Sequence, residues 1–387
     1  MRYVPRHIEP QLLRAARGFP ALVLTGPRRA GKTTLLRRAF PRASYNLLED
    51  PDVLERARSD PRGFLESVRT PAILDEIQNL PELLSYVRTL IDAAPRRRGR
   101  WILTGSQEAP LMKGVTESLA GRGAIFQLLP LSTMESDRVT LRKGGFPEVL
   151  ARPSAASLWF ASYVQTYLER DVRLVSAIRD LATFRRFLAL VATRTGQLLN
   201  RTDLAAPLGI SVPTVNAWLS VLEVTGQIAL VPPFFESFGK RLTKAPRVYL
   251  LDSGLACHLL GIENERQLSK SPFLGPLFEG FVASEIIKRQ VNAGRRREIY
   301  HFRDHQGLKV DFVVPGRAGA LSLIEAKASR TVRPAMAEGI VRLSRSIKRR
   351  RIRGVVVHRG ESAGTESRAL RVGVQALPLA EALQQLA

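Results

Sequence analysis

The chain has 387 residues, 45% of them hydrophobic, and a formal net charge of +24. That size allows two or three domains with real cores, and the charge points to a polyanion such as nucleic acid as partner, with a genome rich in arginine codons as the plain alternative. A single cysteine, Cys257, excludes an internal disulfide framework and fits a reducing cytoplasm; no apolar run reaches the ~18–20 residues of a membrane span, and the opening MRYVPRHIEP lacks the apolar core of a signal peptide.

Residues 6–18 read as an amphipathic helix, and Ala21 to Thr25 as a short buried strand. The next residues, Gly26-Pro27-Arg28-Arg29-Ala30-Gly31-Lys32-Thr33, match the phosphate-loop pattern at every specified position. Glycines let the backbone wrap closely around a phosphate with its N–H groups turned inward. Lys32 would reach the β- and γ-phosphates, and Thr33 would offer its hydroxyl to Mg²⁺. The helix from Thr33 to Ala39, with Thr34 in its first turn, points its positive end at the anion.

Ser44 to Leu48 reads as the next strand and Asp52 to Arg58 as a helix. Ala72-Ile73-Leu74-Asp75-Glu76 is then an apolar strand ending in two acids. Asp75 would hold Mg²⁺ through water, and Glu76 would activate the attacking water. Leu83 to Ala93 reads as a helix. Trp101 to Ser106 is a strand whose last residue, Ser106, either senses a γ-phosphate or caps the following helix. Arg122 precedes an apolar strand over Ala124 to Leu129. It either reaches the γ-phosphate of a neighbouring subunit, which requires a homo-oligomer, or pairs with a surface acid. The alternation of strands and helices predicts a parallel sheet covered on both faces.

Gly144-Gly145-Phe146-Pro147-Glu148 marks a boundary. Leu158 to Val175 and Phe184 to Thr193 read as core helices. Asn200 to Leu219 reads as a helix-turn-helix, with Ser211 capping a second helix that runs to about Thr225. Ile228 to Val231 and Arg247 to Leu251 would form a wing tipped by Lys240, Arg241 and Lys244. If the module binds DNA, Thr214, Asn216 and Ser220 face the groove; winged helices also serve as protein platforms.

Residues 263–273 read as a loop, and Leu277 to Val291 as a helix carrying Glu279 and Glu285. Ile299 to Arg303 is a strand. Lys309 to Val314 and Leu321 to Lys327 form a hairpin. Asp311, with Glu325 and Lys327 as Glu-x-Lys on the adjoining strand, is a metal-dependent phosphodiesterase constellation. The two acids would converge on Mg²⁺ while Lys327, on the same strand face as Glu325, steadies hydroxide or phosphate. Glu279 would complete the set, and Glu285, on a different helix face, would not. The same residues also suit an ordinary cross-strand ion network.

Through Gly26–Thr34, Ala72–Gln78, Leu103–Ser106, Leu119–Arg122, Gly144–Val149, Val248–Leu255, Leu277–Glu285 and Val310–Lys327, the chain resembles a family of prokaryotic ATPases of the AAA superfamily with a C-terminal restriction-endonuclease-like domain. The resemblance implies ATP and Mg²⁺ at Gly31, Lys32, Thr33 and Thr34, with Asp75 and Glu76 as the acidic pair. It also implies Asp311, Glu325 and Lys327 as nuclease-type positions. The expected architecture is α/β: a P-loop NTPase parallel sheet over 1–135, a helical and winged-helix region over 136–262, and a small α/β restriction-endonuclease-like domain over 263–387. The expected activity is ATP hydrolysis coupled to movement of the C-terminal domains on DNA. An ATP-regulated nuclease, a nucleotide-switched DNA-binding regulator and a protein-remodelling ATPase are the alternatives.

Overall fold

The computed structural model describes residues 3–105, 118–168, 181–234, 245–347, 350–360 and 369–386. Its first sheet is built from five strands, β1 (Ala21–Thr25), β2 (Ser44–Leu47), β3 (Ala72–Asp75), β4 (Trp101–Thr104) and β5 (Gly123–Gln127). They run in the order β2-β3-β4-β1-β5, with every pairing parallel. Successive side chains of a strand face opposite sides, so a wholly buried strand needs cover on both. In β1, Ala21 and Val23 pack with Leu74, Leu83 and Val87 on one face. Leu22 and Leu24 pack with Ile8, Leu12, Leu35 and Leu36 on the other. One strand, β4, separates the phosphate-loop strand from the acid-bearing β3.

The middle region is helical. A helix starting at Ala156 becomes a π-helical turn over Val164–Leu168; the rest of the helix expected to Val175 lies outside the described residues. Helices Arg201–Ala205 and Val212–Val224 follow, and the segment Arg201–Leu208 meets the second at 110°. Ser211 Oγ accepts from the Thr214 N–H and so caps the second helix. β6 (Ile228–Val231) and β7 (Arg247–Leu250) pair antiparallel.

The third part is a mixed six-stranded sheet of β8 (Tyr300–Arg303), β9 (Lys309–Pro315), β10 (Leu321–Lys327), β11 (Ile352–His358), β12 (Ala369–Arg371) and β13 (Val374–Pro378). Their order is β12-β13-β11-β10-β9-β8. The expected loop over 263–273 instead contains a helix, Glu265–Lys270, because Asn264 accepts from the Gln267 N–H as its cap and Leu268 is buried beneath it. Among the described residues no single helix is long and apolar enough to cross a membrane.

One apolar cluster runs from Leu129 through Phe187, Trp218 and Tyr249 to Phe312, Val355 and Leu386. The middle region and one face of the C-terminal sheet therefore share a core. The helix Leu274–Asn292 lies within it, buried nearly all round. Asp252 closes the joint to the Gly144-Gly145 turn: its carboxylate accepts from the Gly145 N–H at 2.7 Å and the Leu255 N–H at 2.9 Å. Gly144 is at φ +69°, and a Cβ there would lie 2.1 Å from Asp252 Oδ1. The Gly144-Gly145 turn and Asp252 are thus two halves of one packing contact. Asp252→Ala strands both donors and is expected to destabilise the chain by roughly 2–4 kcal/mol, read as a lower urea midpoint at unchanged slope.

Candidate functional site

The phosphate loop leaves β1 at Gly26, whose φ of +134° brings it so close to Leu128 O that a Cβ would lie 2.1 Å away. Arg29 sits in the left-handed region at φ +61°. Gly31, at φ +95°, is the N-cap of the helix Lys32–Ala39. Arg28 and Lys32 are buried. Lys32 Nζ donates to Gly26 O at 2.8 Å and Pro27 O at 3.1 Å, which holds the ammonium inside the loop. Arg29 pairs with Glu148 at 3.0 Å. Thr34, Ala30 and Gly31 line an open cavity of about 230 Å³ together with Tyr3, Val4 and Pro147.

Thr33 Oγ1 donates to Asp75 Oδ2 at 2.6 Å, and the Asp75 carboxylate is also fixed by the Glu76 N–H at 3.1 Å. A hydroxyl and a buried carboxylate in contact at the head of a helix fit Mg²⁺, a hard cation that takes few protein ligands beside phosphate oxygens. Glu76 has φ +58°, and its carboxylate accepts from the Gln78 amide.

Sequence reasoning passed over three residues here. Tyr45 on β2 donates to Asp75 Oδ2 at 2.8 Å; burial, and then Asp75, push its phenol up. Thr104 ends β4 opposite Leu24, fully buried, with no hydrogen-bond partner for its hydroxyl among the described residues. Arg6 donates to Ala30 O (2.9 Å) in the loop, to Leu129 O (2.6 Å) beyond β5, and to Glu135 (3.0 Å). No local pattern marks a residue whose partners lie 24 to 129 positions away.

Ser106 lies outside the described residues. Arg122 is held by Asp92 of the same chain through two bonds of 2.6 and 3.0 Å. Asn216 and Ser220 are exposed, while Thr214 is half-buried at the cap. Lys240, Arg241 and Lys244 lie outside the described residues.

The register that sets Ile324 opposite Phe312 places Asp311 beside Glu325. Glu279 joins them, but through an unforeseen cation. Arg247 Nη1 lies 2.7 Å from Glu279 Oε1 and 3.4 Å from Asp311 Oδ1. Tyr249 donates to Glu279 at 2.5 Å, and Lys327 to Glu325 at 2.7 Å. Burial, and then the Asp311 charge, push both Glu279 and Glu325 upward. Among the described residues no group of three or more His, Cys, Asp or Glu side chains is arranged to hold a metal. Asp311 and Glu325 lie together, and an arginine from β7 meets the Asp311 charge.

Glu285 faces elsewhere: it accepts from Thr133 N at 2.7 Å and from Lys288 at 2.9 Å.

A family described as an AAA domain matches residues 18–136, and two families described as domains of unknown function, DUF8612 and DUF4143, match 134–266 and 274–381. The uncharacterized proteins Rv2008c of Mycobacterium tuberculosis and Mb2031c of Mycobacterium bovis are each 32% identical over 313 residues, 79% of this chain and 69% of theirs. Among solved structures, the Walker-type ATPase PABY2304 of Pyrococcus abyssi aligns with 65% of this chain and 94% of its own at 17% identity and TM-score 0.40. A Thermotoga maritima RuvB variant aligns with 59% of this chain and 90% of its own at 17% identity and TM-score 0.32. Both scores are too low to carry a functional parallel.

Two outcomes are expected. Tyr45→Phe should raise the Mg²⁺ needed for half-saturation of the nucleotide-bound loop roughly three- to tenfold, the equivalent of about 1 kcal/mol, with nucleotide affinity in the absence of Mg²⁺ little changed. For Glu135, burial raises the carboxyl, but Arg6 and the Ser132 and His7 N–H groups outweigh it and leave the pKa lowered. Its contribution to stability is therefore complete above the range where an unfolded glutamate titrates, and is lost as the pH falls through the lower folded value. The gap in urea midpoint between wild type and Glu135→Gln should accordingly be widest near pH 7 and shrink on acidification.

Proposed function

We propose that the chain, which belongs to the AAA superfamily and to one family with the two mycobacterial proteins, binds ATP with Mg²⁺ at its phosphate loop, hydrolyses it, and uses the cycle to act on DNA. The observation that carries this reading is the 2.6 Å contact of Thr33 with Asp75 at the head of the helix that begins with Lys32.

In the proposed reaction Lys32 exchanges the carbonyls of Gly26 and Pro27 for β- and γ-phosphate oxygens. The loop N–H groups and the helix terminus take up charge on the phosphates. Thr33 and Asp75 would hold Mg²⁺, which when bound polarises the phosphate oxygens. Glu76, steadied by Gln78, accepts the proton of the water that attacks the γ-phosphorus in line. Thr104, the last residue of β4, has a buried hydroxyl with no partner among the described residues and would sense the γ-phosphate in this reading. Arg122 would act in trans only in a homo-oligomer, and only after leaving Asp92.

Work on DNA is supported by the charge of +24 and by the bent helix pair with Asn216 and Ser220 exposed, a winged-helix arrangement in this reading. Nucleotide state has a route to that module. The turn at Gly226, directly after its second helix, lies so close to the loop that a Cβ there would be 3.2 Å from Pro27 Cδ.

The test is ATP turnover with and without single-stranded, duplex and branched DNA across a salt series. Lys32→Ala should abolish turnover. Glu76→Gln should keep ATP binding and lower turnover by about 10²–10⁴. One DNA form should stimulate wild type, with binding that weakens steeply as salt rises. Turnover indifferent to every DNA, with weak and salt-insensitive binding, would turn the reading to protein remodelling.

A further inference from the structure

Glu279, Asp311 and Glu325 look, in the sequence, like the acids of a metal centre, yet the cation between the first two belongs to the chain. Arg247 opens β7, the second strand of the middle hairpin. Its guanidinium is buried, with Nη1 2.7 Å from Glu279 and 3.4 Å from Asp311. Tyr249, two residues on and so on the same face of β7, satisfies the same Glu279 oxygen. Asp311 Oδ2 accepts from the Ala326 N–H at 3.1 Å, and Lys327 occupies Glu325. Three acids thus face two built-in cations. Mg²⁺ demands near-octahedral oxygen ligands at about 2.0–2.1 Å, and here it would sit against a buried guanidinium of like charge. The hairpin is attached to the C-terminal sheet at a second point, where the Phe234 N–H donates to His301 O and the His301 N–H to Pro232 O, at 2.8 and 2.9 Å.

We infer that Arg247 takes, from within the chain, the place of a divalent cation between Glu279 and Asp311, so that this nuclease-type cluster is an ionic joint fixing the middle hairpin to the C-terminal sheet and not a phosphodiesterase centre. Buried partners of this kind are costly to separate, because removing one strands the other's charge. The joint therefore resists parting of the two regions.

The experiment is a Mn²⁺ titration of the nucleotide-free full chain by electron paramagnetic resonance, in wild type, Asp311→Asn and Arg247→Ala, with supercoiled plasmid incubated in Mg²⁺ or Mn²⁺ alongside. Wild type and Asp311→Asn should bind Mn²⁺ alike and leave plasmid intact. Arg247→Ala should gain a Mn²⁺ site at least tenfold tighter than anything wild type shows at this cluster, lost again in Arg247→Ala/Asp311→Asn. In thermal melts Asp311→Asn and Arg247→Lys should each lower Tm by several degrees, and together by less than the sum. A wild-type Mn²⁺ site or plasmid cutting that Asp311→Asn removes would overturn the inference; so would additive Tm losses, or a folded Arg247→Ala that gains no site. Should Arg247→Ala fail to fold, the wild-type titration and the Asp311→Asn and Arg247→Lys melts decide alone.

Discussion

The structure hangs on the guanidinium of Arg6. With one planar fork it reaches Ala30 O inside the phosphate loop, Leu129 O where the chain leaves β5, and the Glu135 carboxylate. Arginine suits this task because its donors are rigid and its charge is permanent. Glu135 in turn accepts from the Ser132 N–H and hydroxyl and from the His7 N–H. The segment before the first helix, the nucleotide loop and the exit from the parallel sheet are thereby held in one geometry. A phosphate loop must be rigid before its ligand arrives, since preorganised donors need no rearrangement at the moment of reaction.

The same exit segment is the start of a second set of bonds. Beside Ser132, Thr133 donates twice to Glu285, and Lys288 donates to Leu131 O as well as to Glu285. Both groups belong to the buried helix Leu274–Asn292. Polar atoms tie the phosphate loop to the core of the C-terminal half, while the apolar cluster from Leu129 to Leu386 fills the space around them. Buried charges placed this way specify one arrangement more than they add stability, because desolvation offsets much of their attraction.

What the sequence made legible follows the reach of its signals. Gly26 to Thr33, and Asp75 with Glu76, are local patterns whose chemistry fixes their spacing, and the strands and helices around them follow from apolar periodicity. The hairpin that brings Asp311 to Glu325 was readable for the same reason. Arg247, Arg6 and Tyr45 were not. Each acts on partners 24 to 129 positions away, and in its own neighbourhood each is one more basic or aromatic residue in a chain with 59 Lys and Arg. The loop expected over 263–273 failed for a smaller reason. Its helix is only six residues long, and the evidence for it is a cap, Asn264, and one buried leucine.

The buried helix joins the two charged sites mechanically. Glu279 and Glu285 are six residues apart, about 9 Å along the axis and roughly a third of a turn apart around it. One meets Arg247 and Tyr249, the other Thr133 and Lys288. A packed helix is stiff, so it holds residues 131–135 and the Arg247 joint at a fixed separation. The two glutamates thus divide what the sequence presents as near-duplicates. Helical phase alone assigns one to the ATPase side and the other to the hairpin, and the stiffness of the backbone between them makes the assignment matter for both.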